Sequence, residues 1–218
     1  MTSSIVFDMD GVLFDSERIY FKAWHQAARK LNLPEIDDCV THCVGRNGND
    51  IRAYLIGRYG QQLAVDEFVE DIKAAFLKIV KAEGLPIKDG TREILEWLTQ
   101  MRWKIALATS SARKSAERNL DVSGLAQYFQ AVVTGDMIKH GKPAPDIYLL
   151  ACEKLGESPE DCFAIEDSPN GVLSAHAAGL KAIFVPDMIE PTAEITRCAF
   201  KTFPSLVEVR TYLARLPV

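Results

Sequence analysis

The sequence predicts an α/β fold, in which a doubly wound parallel sheet carries an inserted, all-helical unit. Five short apolar segments, each bounded by turn or charged residues, alternate with helical patterns along most of the chain. Strands that alternate with helices are typical of a parallel sheet with helices on both faces. Residues 16–85 interrupt this alternation, because they contain helical patterns and no convincing strand.

The strands and helices of the core follow from apolar runs and from residues that start or stop helices. Asp89 or Thr91 is the expected N-cap of the first core helix, and Gly156 is expected to end the third. The strands are expected at residues 5–7, 103–108, 131–134, 162–165 and 181–185. The helices are expected at residues 91–100, 112–120, 146–155 and 206–216.

Residues 16–85 are predicted to form a small helical bundle after the first strand. Apolar side chains recur there at helical spacing, which favours a shared core over ligand contacts. The chain would therefore consist of an α/β core, residues 1–15 and 86–218, and a helical domain, residues 16–85. The connections near Asp15 and residues 85–89 would act as hinges. The recurring positions are Phe21, Trp24, Ala28 and Leu31, then Phe68, Ile72, Ala75, Phe76 and Ile79.

Charge and hydropathy exclude several classes of partner. The 218 residues carry a net charge of -5, and no run of Lys and Arg forms a stripe that could neutralise a nucleic-acid backbone. No apolar stretch approaches the roughly 18 residues that a membrane helix needs, and the first residues lack a basic signal region. We therefore expect a cytoplasmic protein that binds neither nucleic acid nor membrane, with a monomer as the default.

Acidic side chains follow two of the predicted strands. Asp8 and Asp10 come directly after the first strand, with Gly11 permitting a tight turn, and Glu166 and Asp167 follow the fourth. Ligands of doubly wound sheets bind beyond the carboxyl ends of the strands, where these acids would meet. Converging carboxylates repel one another, and a hard cation such as Mg²⁺ relieves that repulsion. The sequence therefore predicts a magnesium site there.

Residues suited to an anion follow the second strand and precede the third core helix. Thr109 and Ser110 stand at a strand end that leads into a helix, where hydroxyl and backbone N–H groups can hold an anion. Lys142 is flanked by Pro143 and Pro145, which restrict the backbone around it. A lysine on such a loop can bring a point charge to a phosphate.

These four segments, in this order, resemble the motifs of the haloacid-dehalogenase-like (HAD) hydrolase superfamily over essentially the whole chain. The inserted helices look like the cap of its β-phosphoglucomutase-like branch. The resemblance implies a Rossmann-like catalytic core beneath a helical cap. The motifs are Asp8-Met9-Asp10-Gly11-Val12-Leu13-Phe14-Asp15-Ser16, Ala108-Thr109-Ser110, Lys142-Pro143 and Glu166-Asp167-Ser168-Pro169-Asn170-Gly171.

The resemblance also implies a role for each matching residue. Asp8 would attack phosphorus and form an aspartyl phosphate. Asp10 would protonate the leaving oxygen and later activate water, while its backbone carbonyl would contact Mg²⁺. Asp167 would bind the metal directly, with Glu166 assisting. The residues expected to hold phosphoryl oxygens are Thr109, Ser110 and Lys142, and those expected around Mg²⁺ are Asp8, Asp10, Asp167 and Glu166.

The expected function is Mg²⁺-dependent hydrolysis of a small phosphorylated metabolite, such as a sugar or polyol phosphate. Arg46 and Asn47 in the cap loop, together with Tyr20, are candidate substrate contacts, and Arg113 is a weaker one. A sugar phosphomutase is the alternative, although Tyr20 stands where that branch carries a histidine. A non-catalytic, phosphorylatable signalling module is a remote alternative, because Asp10 would hydrolyse its aspartyl phosphate quickly.

Overall fold

The computed structural model describes residues 4–43, 48–187 and 192–216. The chain divides into two compact units. The core unit comprises Met1–Phe14 and Ile87–Val218, and the helical unit comprises Asp15–Pro86. The sequence had suggested boundaries after residues 15 and 85.

The core unit is built on a six-stranded sheet in the order β3-β2-β1-β4-β5-β6, in which every neighbouring pair is parallel. This confirms the predicted α/β fold with a parallel, Rossmann-like sheet. The sixth strand was not predicted, because its two residues are both exposed and form no apolar run. The strands are β1 Ser4–Phe7, β2 Lys104–Thr109, β3 Ala131–Thr134, β4 Cys162–Glu166, β5 Lys181–Phe184 and β6 Lys201–Thr202.

Within the described residues, six α-helices belong to the core unit and four to the helical unit. Predicted and observed bounds agree for the first and third core helices. The second predicted helix begins one residue later and ends three residues later than expected, and the last one ends three residues earlier. The helices are α1 Ser16–Leu31, α2 Ile36–Cys43, α3 Gly48–Tyr59, α4 Val65–Glu83, α5 Thr91–Gln100, α6 Arg113–Ser123, α7 Asp146–Leu155, α8 Pro169–Ala177, α9 Ala193–Cys198 and α10 Leu206–Leu213. Among the described helices, none has the length and apolar character needed to cross a bilayer.

The start of α5 differs from the expected side-chain cap. Neither Asp89 nor Thr91 caps it, because Gly90 occupies the N-cap position with φ of 84°. A side chain on Gly90 would collide with Val207 at the start of α10. The Thr91 hydroxyl donates to the carbonyl of Leu13 instead, at 3.3 Å. The prediction for Gly156 is confirmed, since it ends α7 in the left-handed conformation with φ of 68°.

The helical unit buries the apolar faces of its helices against one another. Trp24 from α1 meets Phe68 from α4 edge to face, at 5.6 Å between ring centres. Tyr20 stacks on Phe76 of α4, at 4.2 Å between ring centres. Such contacts agree with the core predicted from helical spacing, except that Leu31 at the end of α1 is 45% exposed.

Candidate active site

The central strands bring the predicted acids to one edge of the sheet. β1 lies between β2 and β4, and all three run in the same direction. Asp8 therefore leaves β1 beside the end of β4, where its backbone N–H donates to the carbonyl of Ile165 at 3.0 Å. Glu166 is the last residue of β4, and Asp167 follows it directly. The parallel topology thus explains why these side chains meet.

Lys142 lies at the centre of this group as a buried cation. Its Nζ is 2.5 Å from Asp8 Oδ1 and 2.5 Å from Glu166 Oε1, and it also donates to the carbonyl of Ala108 at 3.1 Å. The side chains of Lys142, Asp8 and Glu166 are 3%, 10% and 0% exposed. Buried charges need such partners, because water no longer solvates them.

The segment that carries Lys142 is held on both sides by hydrogen bonds. The backbone N–H of Ala144 donates to the carbonyl of Gly141 at 3.0 Å. The hydroxyl of Ser174 on α8 donates to the carbonyl of Ala144 at 2.6 Å. These bonds, together with the restricted backbone of the flanking prolines, hold the segment from which Lys142 reaches Asp8 and Glu166.

Burial changes the acid–base behaviour of the nucleophile candidate. Burial raises the pKa of Asp8 from 3.8 to about 8, although the Lys142 ammonium acts in the opposite direction and Glu166 and Asp10 add to the increase. Burial opposes the charged form of Lys142, yet Asp8 and Glu166 together raise its pKa, so it remains an ammonium. The site therefore favours additional positive charge near Asp8.

The carboxylates can offer ligands to a cation. One oxygen from each of Asp8, Glu166 and Asp167 lies within 4.8 Å of the others, and all three residues are buried. Carboxylate oxygens are the donors that Mg²⁺ prefers, so this group fits the predicted metal. Gly11 has φ of 83°, and a side chain there would collide with the Asp167 carboxylate. Glycine is therefore required for Asp167 to approach the end of β1.

Asp10 and the predicted anion-binding residues lie at the same sheet edge. The hydroxyl of Ser111 donates to Asp10 Oδ2 at 2.9 Å. The hydroxyl of Thr109, which is buried at the end of β2, accepts from the backbone N–H of Ser111 at 3.0 Å. Ser110 is packed closely against Gly135, where a side chain would collide with its carbonyl. The turn after β2 is thus fixed by its neighbours.

The candidate substrate contacts fall in three different places: the undescribed residues, the helical unit and the core unit. Arg46 and Asn47 lie outside the described residues. Tyr20 belongs to the helical unit, where it stacks on Phe76. In the core unit, the exposed Arg113 guanidinium lies 3.5 Å from the sulfur of Met137, and its backbone N–H donates to Asp136 at 3.3 Å.

Sequence reasoning missed two residues that contact Glu166. The Tyr148 hydroxyl donates to Glu166 Oε1 at 2.6 Å, and the Ser168 hydroxyl donates to Oε2 at 3.2 Å. Ser168 also accepts from the backbone N–H of Gly171 at 3.1 Å and so caps α8. Ser168 stands within the fourth motif, next to Asp167, and could have been recognised as an N-cap. Tyr148 stands on the apolar face of a predicted helix, where the sequence pattern indicates only a buried aromatic side chain.

Comparison with known proteins identifies the family of the chain. Residues 5–185 match the model of the family described as haloacid dehalogenase-like hydrolase. A phosphorylated carbohydrates phosphatase of Thermotoga maritima is 36% identical over 184 residues, which are 83% of each chain. A fructose-1-phosphate phosphatase of Escherichia coli is 32% identical, over 84% of this chain and 96% of the relative. A Thermotoga maritima structure, assigned as a β-phosphoglucomutase, has 29% identity and a TM-score of 0.81, with 99% and 100% of the two chains covered.

The parallel sheet brings buried acids and a buried threonine to the carboxyl ends of its central strands, and a buried lysine contacts two of those acids. The chain belongs to the haloacid dehalogenase-like hydrolase family. Its structural neighbours are the β-phosphoglucomutase-like members of that family.

Proposed function

We propose that the protein is a Mg²⁺-dependent phosphatase that hydrolyses a small phosphorylated sugar or polyol through a phosphoryl intermediate on Asp8. The observation that carries the proposal is the buried contact of Lys142 with Asp8, beside the carboxylate of Asp167. A carboxylate next to a fixed ammonium and a second carboxylate suits phosphoryl transfer, which depends on positioning and on charge neutralisation. The sugar or polyol class is supported by the activities named for the two relatives.

In the first step, an Asp8 oxygen forms a bond to phosphorus while the bond from phosphorus to the substrate oxygen breaks. Asp10 donates a proton to that leaving oxygen. In the second step, water attacks the phosphorus, Asp10 takes the proton, and Asp8 is released as a carboxylate. The hydrogen bond from Ser111 supports this role, since it holds the Asp10 side chain near Asp8 on the same turn.

The phosphoryl oxygens would be held during both steps by Thr109, the backbone N–H of Ser110 and Lys142. Asp8 and Asp167 would hold Mg²⁺ together with the backbone carbonyl of Asp10, with Glu166 assisting. When bound, this cation supplies positive charge that favours Asp8 as a carboxylate and offsets the charge of the phosphoryl group. The high pKa of Asp8 supports this part of the proposal, because the metal-free site disfavours a further negative charge.

The helical unit would act as the cap. In this proposal its residues contact the organic part of the substrate and exclude water while phosphorus is transferred. Tyr20 remains a candidate contact, together with Arg46 and Asn47. Differences between the helical units would then explain how relatives with the same type of core act on different substrates.

A sugar phosphomutase is the second candidate, favoured by the likeness to the structure assigned as a β-phosphoglucomutase. A mutase must return the phosphoryl group to a sugar hydroxyl and keep water away from Asp8. Tyr20 weakens this candidate, since the resemblance expects a histidine there. An assay for conversion of β-glucose 1-phosphate to glucose 6-phosphate separates the two activities.

The test is a screen of phosphorylated sugars and polyols for release of inorganic phosphate, with Mg²⁺ and with EDTA. We expect sustained release with Mg²⁺, loss of release with EDTA, and a fall to the uncatalysed background for Asp8→Asn. Asp121→Asn, which changes an exposed acid of the core unit, is the matched control and should keep activity within about twofold. Release that persists in Asp8→Asn, or conversion of the sugar phosphate without release, would contradict the proposal.

A further inference from the structure

Tyr148 is a buried polar residue for which the proposed chemistry has no role. It lies on α7 and is 0% exposed, and its hydroxyl donates to Glu166 Oε1 at 2.6 Å. Buried tyrosine hydroxyls generally have a partner, but a carboxylate partner makes a shorter and stronger bond than a neutral one. The helix is therefore joined to the site by a charge-assisted hydrogen bond.

The same side chain contacts both members of the buried ion pair. Glu166 Oε1 accepts from Tyr148 and from Lys142 Nζ, and a carboxylate oxygen has two lone pairs for such donors. Lys142 Nζ lies 5.2 Å from the centre of the Tyr148 ring, within the range of a cation–π attraction. Tyr148 thus limits where the Glu166 carboxylate and the Lys142 ammonium can move.

We propose that Tyr148 is a positioning residue, which holds Lys142 in place for the phosphoryl group by restraining the Glu166 carboxylate. The inference rests on the proposed function, since it concerns the same site. Lys142 divides its N–H groups among Asp8, Glu166 and the carbonyl of Ala108. Without the hydroxyl, Glu166 has one donor fewer on Oε1 and attracts the ammonium more strongly, which draws Lys142 away from Asp8 and its phosphoryl group.

The chain offers a matched control. The hydroxyl of Tyr128 also donates to a glutamate, Glu96 Oε1, but at 3.5 Å and on the exposed surface of the core unit. Tyr128→Phe therefore removes the same atom from the same type of pair, away from the site. A general effect of removing a tyrosine hydroxyl would appear in both variants.

The experiment compares Tyr148→Phe and Tyr128→Phe with the wild type, in Mg²⁺ and below the melting temperature of every variant. The readouts are the dissociation constant for inorganic phosphate, by calorimetry, and kcat and KM for p-nitrophenyl phosphate. We expect Tyr148→Phe to weaken phosphate binding and lower kcat/KM by about tenfold, and Tyr128→Phe to stay within about twofold. A lower melting temperature with unchanged phosphate binding would show that Tyr148 only supports the fold, and would overturn the inference.

A double-mutant cycle tests whether Tyr148 acts through Lys142. In a Lys142→Ala background, Tyr148→Phe should change phosphate affinity by less than about twofold, because the restrained group is absent. Equal effects in both backgrounds would overturn the inference.

If Tyr148→Phe does not fold, Ser168→Ala is the second variant, because it removes the other hydroxyl that donates to Glu166. It should weaken phosphate binding about threefold, and unchanged phosphate binding would again overturn the inference. A wild type without Mg²⁺-dependent turnover would overturn the proposed function, and the inference with it.

Discussion

Replacing Lys142 with alanine should destabilise the metal-free protein strongly, because it removes the cation shared by two buried carboxylates. Lys142 Nζ contacts Asp8 and Glu166 at 2.5 Å each, and none of the three side chains is more than 10% exposed. Removal of one partner from a buried ion pair costs about 3–5 kcal/mol, since the other charge stays buried and unpaired. That loss is a large part of the total stability of about 5–15 kcal/mol of a typical domain.

Urea unfolding in EDTA above about pH 8, where Asp8 is ionised, measures this loss. With a slope of about 2 kcal/mol per M, the expected shift of the midpoint is about 1.5–2.5 M to lower urea. Lys154→Ala, at an exposed position of α7, is the control and should change stability by no more than about 0.5 kcal/mol. Added Mg²⁺ should stabilise Lys142→Ala more than the wild type, since a cation replaces part of the lost charge. A loss below about 1 kcal/mol, with an unchanged slope, would refute the electrostatic reasoning.

Two further predictions concern the carboxylates. Because the pKa of Asp8 is raised from 3.8 to about 8, Mg²⁺ must displace a proton below that pH. The affinity of the protein for Mg²⁺ should rise about tenfold per pH unit up to about pH 8 and then level off. Calorimetry in buffers of different ionisation enthalpy measures this affinity and the proton release. An affinity independent of pH from about 6 to 8 would contradict the prediction. Gly171→Ala should lower stability and activity, because its methyl group would collide with the Glu166 carboxylate. Gly57→Ala, at a helical position with open space, should instead stabilise by up to about 1 kcal/mol; equal changes in urea midpoint for the two variants would contradict the predicted collision.

The sequence predicts the strands and the acids of the site well, because both depend on local pattern. Buried strands of a parallel sheet are continuous apolar runs, and in this topology acids at the ends of β1 and β4 must meet. Asp8, Glu166 and Asp167 therefore lie together at that edge of the sheet. The two-residue strand β6 has no apolar run, so it could be found only from the structure.

The remaining features depend on contacts between distant parts of the chain. Gly90 occupies the N-cap position of α5, where Val207 leaves no room for a side chain. The sequence pattern around residue 90 contains no sign of that contact. The bond from Ser111 to Asp10 joins residues 101 positions apart. The bond from Tyr148 to Glu166 links a core aromatic to a charged site. Helical spacing indicates burial for such a residue but does not identify its hydrogen-bond partner.

The proposed mechanism requires a covalent bond between Asp8 and phosphorus during turnover. Rapid acid quenching of the enzyme with a phosphorylated sugar and Mg²⁺, followed by mass spectrometry of its peptides, tests this directly. We predict one phosphoryl group on the peptide that contains Asp8 and none on the same peptide from Asp8→Asn. Turnover with the phosphoryl group on another residue, or with no phosphorylated peptide at any quench time, would contradict the role assigned to Asp8.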